Sequence, residues 1–382
     1  MSLRFVLNTK YPDRPASAVC IGSLGSLLTK HGYEVTYNDW ENYERYDVAI
    51  FMYYDPQIEK ARRVNPNILV GLGDPKPPVI QDAPKADFLL VSSVEQRDVL
   101  LKYNPNVFIY YMFTDIKPVK KVHSDSGKIV IGYHGNKTHL NAMYPNVTLA
   151  IEKLSHYFEV EFHAIYNIKA LGKWKIGVPD PKKVKTCHIQ WSADTVSKAL
   201  ESVDIGIVPN TLLSHTRDHE KKKRFGVSKI FTLENTDYLL QFKVSSNPGR
   251  IYVFAQNGIP VVADFFPSAA QFIAHGERGF LAHSTEGWFD AFYQLATSAE
   301  LRQKMSDNLF EYCNTKASRE KTFSDFINMV THLKTPSRLP STFKNARRDA
   351  TYCLSLFQEH LYNFSRPFTL IPRLYQKVLD SI

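Results

Sequence analysis

The stretch GRIYVFAQNGIPVVADFFP, Gly249–Pro267, decides how the chain is read. Asn257-Gly258 is a helix-stop signal, because glycine takes the left-handed conformation that commonly ends a helix. Upstream, Arg250–Gln256 reads as a helix of about two turns. Downstream, the apolar run Ile259–Ala263 reads as a buried strand that stops at Asp264. A helix feeding a fully apolar strand is the repeating unit of a parallel sheet covered on both faces. This helix opens with a cation. A helix N-terminus offers free amides and partial positive charge, so Arg250, with Lys243, Ser245, Ser246 and Asn247 just before it, suits a phosphate. Arginine supplies paired donors and lysine a point charge.

The same unit recurs on both sides. In the N-terminal part the strand-like runs are RFVLNT, YEVTYN, DVAIFMYY, NILVGLGD, DFLLVSS and Val107–Met112. Between them lie the helical AVCIGSLGSLLTKHG, ending at Gly32, and SVEQRDVLLKYN, opened by Ser92 or Ser93. TDIKPVKKVHSDSG, residues 114–127, is polar and carries Pro118 with several lysines, so a domain boundary is expected there. The pattern then restarts with KIVIGYHG, the helical NAMYPNVTLAIEKLSHYF, EVEFHAIY, the helix DTVSKALESV capped by Asp194, and DIGIVPN. After the opening stretch come SAAQFIAHG with Gly276 as its stop, GFLAH, and two closing helices. Beyond Pro336, Ala346, Ala350, Cys353, Phe357 and Leu361 recur at three- and four-residue spacing, as on an amphipathic helix. The expected organisation is an α/β domain over 1–118, a second over 127–335 and a helical segment over 336–382.

Composition bounds the function. A chain of 382 residues holds about two domains of ordinary size. No apolar run approaches the roughly 18–20 residues of a membrane span, and the start lacks a cleavage-type site, which points to the cytosol. The four cysteines, Cys20, Cys187, Cys313 and Cys353, form no CxxC pair, so reduced thiols are expected. The net charge of +9 fits an acidic substrate, an anionic membrane surface or nucleic acid. The densest basic cluster, RDHEKKKRFGVSK, lacks the interleaved aromatics of single-strand binders, so no nucleic-acid partner is expected.

In open parallel sheets, ligands sit outside the carboxyl ends of strands. Two doubly wound domains face to face would make a cleft, and the residues just after strands are the candidates to line it. GYHGNKTH supplies His134, Gly135, Asn136 and Lys137, with glycines that let the backbone approach an anion. It is not GxGxxG. Asn210 ends DIGIVPN, and Ser268 opens a helix after the Asp264 strand. GLGDPKPP places Asp74 and Lys76 after a strand, as an acceptor-binding pair or general base. The chain has no GxSxG, no HExxH and no carboxylate–histidine spacing that would bind a metal.

Taken in order, KIVIGYHGNKTH, DTVSKALESVDIGIVPN, RIYVFAQNGIPVVAD and IAHGERGFLAHSTEGWFDAFYQLATSAELRQKM resemble the donor-binding domain of GT-B fold glycosyltransferases, specifically the group 1 family, or family 4. The resemblance covers about half the chain. It implies two Rossmann-like doubly wound domains facing a cleft, an acceptor-side domain first and the donor-binding domain second, with the last helix crossing back. It implies transfer of a sugar from a nucleotide-diphosphate sugar to a glycan, lipid-linked or other hydroxyl acceptor, with retention and without a metal or other cofactor. Arg250, Lys243, His134 and Asp74 would be catalytic. Gly135, Asn136, Lys137, Trp191, Asn210, Ser246, Asn247 and Ser268 would bind the donor, with the base near Cys187–Trp191, and Lys76 would serve the acceptor. Many relatives carry a Glu-x7-Glu pair whose positions here are Ser245 and Val253, and Thr211–Phe242 is longer than usual, as a flap or insertion. The basic tail would let the chain rest on an anionic inner membrane face. A divergent, non-catalytic nucleotide-sugar binder, an epimerase of similar fold and a nucleic-acid binder are the competing readings.

Overall fold

The computed structural model describes residues 2–11, 21–52, 56–75, 79–125, 127–192, 195–210 and 247–334. The chain divides into two compact units. The first holds Met1–Val91, Arg97–Ile109 and, among the described residues, the chain from Asp325 onward; the second holds Ser92–Gln96 and Tyr110–Ser324. Lys76, Asp194, Lys243, Ser245, Ser246, the Thr211–Phe242 segment and the Ala346–Leu361 helix fall outside the described residues, as do Cys20 and Cys353.

The first unit is built on a six-stranded parallel sheet: β1 (Arg4–Thr9), β2 (Glu34–Tyr37), β3 (Val48–Met52), β4 (Leu69–Gly73), β5 (Phe88–Val91) and β6 (Val107–Ile109). The order is β2-β1-β3-β4-β5-β6. Its inner strands are buried along their whole length, as continuous apolar runs covered on both faces must be. The order reverses between β1 and β3, so Asp74, just past β4, stands beside that switch point and not in it.

The second sheet comprises β7 (Lys128–His134), β8 (Glu159–Tyr166), β9 (Lys185–Gln190), β10 (Ile205–Val208), β11 (Val261–Asp264) and β12 (Phe280–Ala282). All its pairings are parallel, in the order β12-β11-β10-β7-β8-β9. The strand order therefore reverses between β7 and β10. One face is covered by helices Asn146–Leu154 and Thr285–Thr297, with Trp288 fully buried. The other is covered by helix Gly249–Gln256, with Ile251, Phe254 and Ala255 fully buried. Burying a side chain of Phe254's size is worth about 1.5–3 kcal/mol. Helices Thr285–Thr297 and Ala299–Thr315 each start on a serine, Ser284 and Ser298, whose hydroxyl accepts a backbone N–H of the first turn. Among the described residues, no helix is long and apolar enough to cross a membrane.

The stretch expected to be a domain linker, together with the residues from Tyr110 that precede it, is docked along the second unit as a strap over 110–125. Tyr111 and Phe113 pack into its core, and Phe113 stacks on Tyr252 at 4.1 Å between ring centroids. Val119 N donates to Gln256 O at 2.7 Å, and His123 Nε2 donates to Gly258 O at 2.9 Å. Lys121 reaches the carbonyls of Glu201 and Val203. The chain thus passes into the second unit at Tyr110. This also explains why the strand expected over Val107–Met112 ends at Ile109.

Candidate functional site

At the switch point of the second sheet the ends of β7, β10 and β11 converge with the start of helix Gly249–Gln256. The helix begins where the sequence placed it. Asn247 Oδ1 accepts the Gly249 N–H at 3.1 Å, and Asn247 Nδ2 donates to Met112 O at 2.7 Å. Asn247 therefore ties the helix entry to the docked strap.

Arg250 is half-buried. Its Nη1 donates to Pro209 O at 3.1 Å, just past β10, and its Nη2 lies 3.4 Å from His139 Nδ1, which accepts. Neither partner is an anion. Asp264 acts on the guanidinium through space, but its own oxygens serve the scaffold. Oδ2 accepts the Asn210 backbone N–H at 2.6 Å, and Oδ1 accepts the Trp288 Nε1–H at 3.1 Å. Among the described residues, no ion pair engages Arg250, and burial pulls its pKa below the ordinary arginine value. An arginine stays charged at neutral pH regardless. A partly desolvated cation with no carboxylate partner gains from an arriving anion.

The loop after β7 forms the other wall. Gly135 has φ +137°, and a Cβ there would lie 3.0 Å from Tyr133 Oη and 3.2 Å from Arg250 Cδ. Only glycine lets the arginine lie against this loop. The Tyr133 hydroxyl donates to Asn136 O and so holds the loop's shape. Lys137 opens the short helix Lys137–Asn141; its side chain lies outside the described residues.

His134 sits beneath this wall. It is 5% exposed, its Nε2 donates to Arg250 O at 3.2 Å, and its ring meets Phe254 edge-on at 4.7 Å. Burial pushes the imidazole down to about 4, so the ring is neutral and braces the Arg250 backbone. Ser268 is fully buried, and its hydroxyl donates to Glu95 Oε1 at 2.8 Å, within the second unit. Burial pushes the Glu95 carboxyl up. Trp191 packs partly buried on the core, with its backbone N–H on Tyr166 O at 2.9 Å. Asp74 lies in the first unit, buried, at φ +45°, with its N–H on Leu90 O at 2.8 Å.

The structure thus gathers Gly135, Asn136, Asn210 and Arg250, with His134 below them. It adds Tyr133, His139, Pro209 and Asp264, which the sequence reading did not single out. His139 and Asp264 had a visible signal, one closing the GYHGNKTH loop and the other ending a strand. Tyr133 and Pro209 had none beyond lying beside strand ends.

No known family profile matches the chain, and no curated protein sequence does. Solved structures do. Sucrose-phosphate synthase from Thermosynechococcus elongatus matches at TM-score 0.56 and 10% identity, over 88% of this chain and 100% of that one. HepE from Anabaena, in complex with UDP, matches at TM-score 0.53 and 12% identity, over 87% and 100%. WaaG, a glycosyltransferase involved in lipopolysaccharide biosynthesis, matches at TM-score 0.52 and 10% identity, over 86% and 99%. The chain spans about half, 54%, of the length of TarM, which it matches at TM-score 0.49. With two parallel six-stranded sheets, each flanked by helices, the chain has the fold of the GT-B glycosyltransferases.

Proposed function

We propose that the protein transfers a sugar from a nucleotide-diphosphate sugar to a hydroxyl acceptor, with the donor diphosphate bound at the switch point of the second sheet. The observation that carries this reading is Arg250. It is a half-buried cation at the start of a helix, at the carboxyl ends of β7 and β10, whose guanidinium donates to Pro209 O and His139 Nδ1 and meets no carboxylate among the described residues. The helix amides and the guanidinium favour an anion at the same place. HepE, which shares the fold, has been solved with UDP and with UDP-glucose.

The chemistry follows from the charge. As the bond between the anomeric carbon and the donor phosphate oxygen breaks, negative charge grows on the leaving diphosphate. A fixed guanidinium stabilises that charge more in the transition state than in the ground state. His134, neutral and buried, acts through the backbone of Arg250 as a positioning residue. The acceptor hydroxyl loses its proton as it attacks, so a general base is needed, and Asp74 is the residue proposed for that role. Lys243 and Ser246 would extend the phosphate site, and Lys76 the acceptor site. Retention of configuration, independence from metals and a glycan or lipid-linked acceptor belong to this proposal.

The test is a thermal-shift screen of the full chain against UDP, GDP, ADP, CMP and their sugar conjugates without added metal. A ligand at about 100 times its Kd raises stability by about 2.7 kcal/mol, so one nucleotide should stand out. A well-folded sample that responds to none would sink the donor-site reading. With a donor in hand, NMR of the product's anomeric proton decides between retention and inversion.

A further inference from the structure

The second sheet carries a group of side chains to which the proposed transfer assigns no chemical step. On β8, Glu161 and His163 are two residues apart and share one face. The register places His163 opposite Cys187 of β9, the last strand of the sheet, and Glu161 opposite Lys185. A carboxylate oxygen, an imidazole nitrogen and the Cys187 sulfur converge so that all lie within 4.8 Å of one another. Glu161 and His163 are buried, and Cys187 is half-buried, which leaves a path from solvent.

The spacing is that of ligands more than of a hydrogen bond. His163 Nε2 and Glu161 Oε2 are 3.4 Å apart, longer than an ordinary N–H···O bond. Donors about 2.0–2.3 Å from a tetrahedral cation are separated by about 3.3–3.8 Å. The remaining atoms are already steadied. Glu161 Oε1 is held by Lys128 at 2.8 Å and Lys185 at 2.7 Å, which leaves Oε2 on the His163 side. Ser202 Oγ lies 3.4 Å from His163 Nδ1 and can orient the ring from its far side.

We propose that Glu161, His163 and Cys187 bind one thiophilic divalent cation of the zinc class, clamping the edge strand β9 to β8. Imidazole and thiolate ligands select zinc or cobalt over magnesium and calcium. On binding, a bond forms between the metal and Cys187 sulfur, and the thiol proton passes to solvent. Carboxylate and thiolate together neutralise the two positive charges. Three protein donors leave one position open to water. The two lysines oppose the cation; Lys185, with its side chain 70% exposed, is free to swing into solvent. This site does not rest on the reading of Arg250.

The test uses the full reduced chain, stripped with chelator and titrated with Zn2+ by calorimetry and with Co2+ by absorption. One saturable equivalent is expected, with proton release and a near-ultraviolet thiolate-to-cobalt band. Cys187→Ser should abolish the band, and Ser202→Ala should weaken binding by about 10-fold. Lys185→Ala, which removes an opposing charge and leaves every ligand in place, should tighten it. Absence of saturable binding, or a cobalt band that survives Cys187→Ser, overturns the proposal.

Discussion

Gly258 closes helix Gly249–Gln256 at φ +63°, and the docked strap lies directly on it. A Cβ there would lie 3.0 Å from Lys121 Cβ, 3.1 Å from Lys121 N and 3.3 Å from Val119 O. Gly258→Ala therefore carries two costs. The left-handed backbone costs an alanine about 1–2 kcal/mol. Pushing the strap outward costs about 1–3 kcal/mol more, as overpacking does, because it strains the Val119–Gln256 and His123–Gly258 hydrogen bonds. Gly276 is the control: φ is +80°, and nothing lies within 4 Å of its missing Cβ. Gly276→Ala should show only the dihedral cost. At about 3 kcal/mol, Gly258→Ala should lower the melting temperature of a unit this size by about 6–12 °C, and Gly276→Ala by about half that or less. Calorimetry of the two variants beside wild type reads the difference. Equal shifts would mean that the strap does not rest on Gly258.

Three further outcomes follow from the site's scaffold. His134 is neutral in the fold with a pKa of about 4, against 6.5 when exposed, so the unfolded chain takes up the proton first as pH falls. Its contribution is complete above about pH 6.5 and is lost between there and about pH 4, by about 3 kcal/mol in all. Urea unfolding of His134→Gln across that window should show a shallower loss than wild type, and an identical slope would contradict the buried-imidazole reading. Asp264→Ala strands the Trp288 and Asn210 N–H groups and should destabilise by about 2–5 kcal/mol, visible as a lower urea midpoint. Tyr133→Phe removes the hydroxyl that holds the Asn136 carbonyl. It should weaken nucleotide binding while costing stability only about 1 kcal/mol.

The fold was largely legible because its signals are local. Apolar runs such as DVAIFM and KIVIG, and stops at Gly32, Gly258 and Gly276, mark strands and helix ends without reference to distant residues. Strand β9 was not legible. KTCHIQ is half-exposed along an edge, so it shows neither a buried run nor a clean alternation. The strap misled for a related reason: its lysines and Pro118 look like a linker, while its docking depends on carbonyls that other segments present. At the site, Arg250 was legible from its place at a helix start. The roles of His139 and Asp264 depend on which strands become neighbours, as does the meeting of Glu161, His163 and Cys187 across β8 and β9. Register is the quantity a single sequence conceals most.

The most direct test of the central claim is equilibrium binding of a nucleoside diphosphate, UDP first, to wild type and Arg250→Ala, with the bare nucleoside as control. Charge-assisted hydrogen bonds are worth about 1.5–3 kcal/mol, so the variant should bind the diphosphate about 10–100-fold more weakly. The nucleoside should bind both proteins alike, because the loss falls on the phosphates. An Arg250→Ala protein that is folded and binds the diphosphate as tightly as wild type would contradict the account.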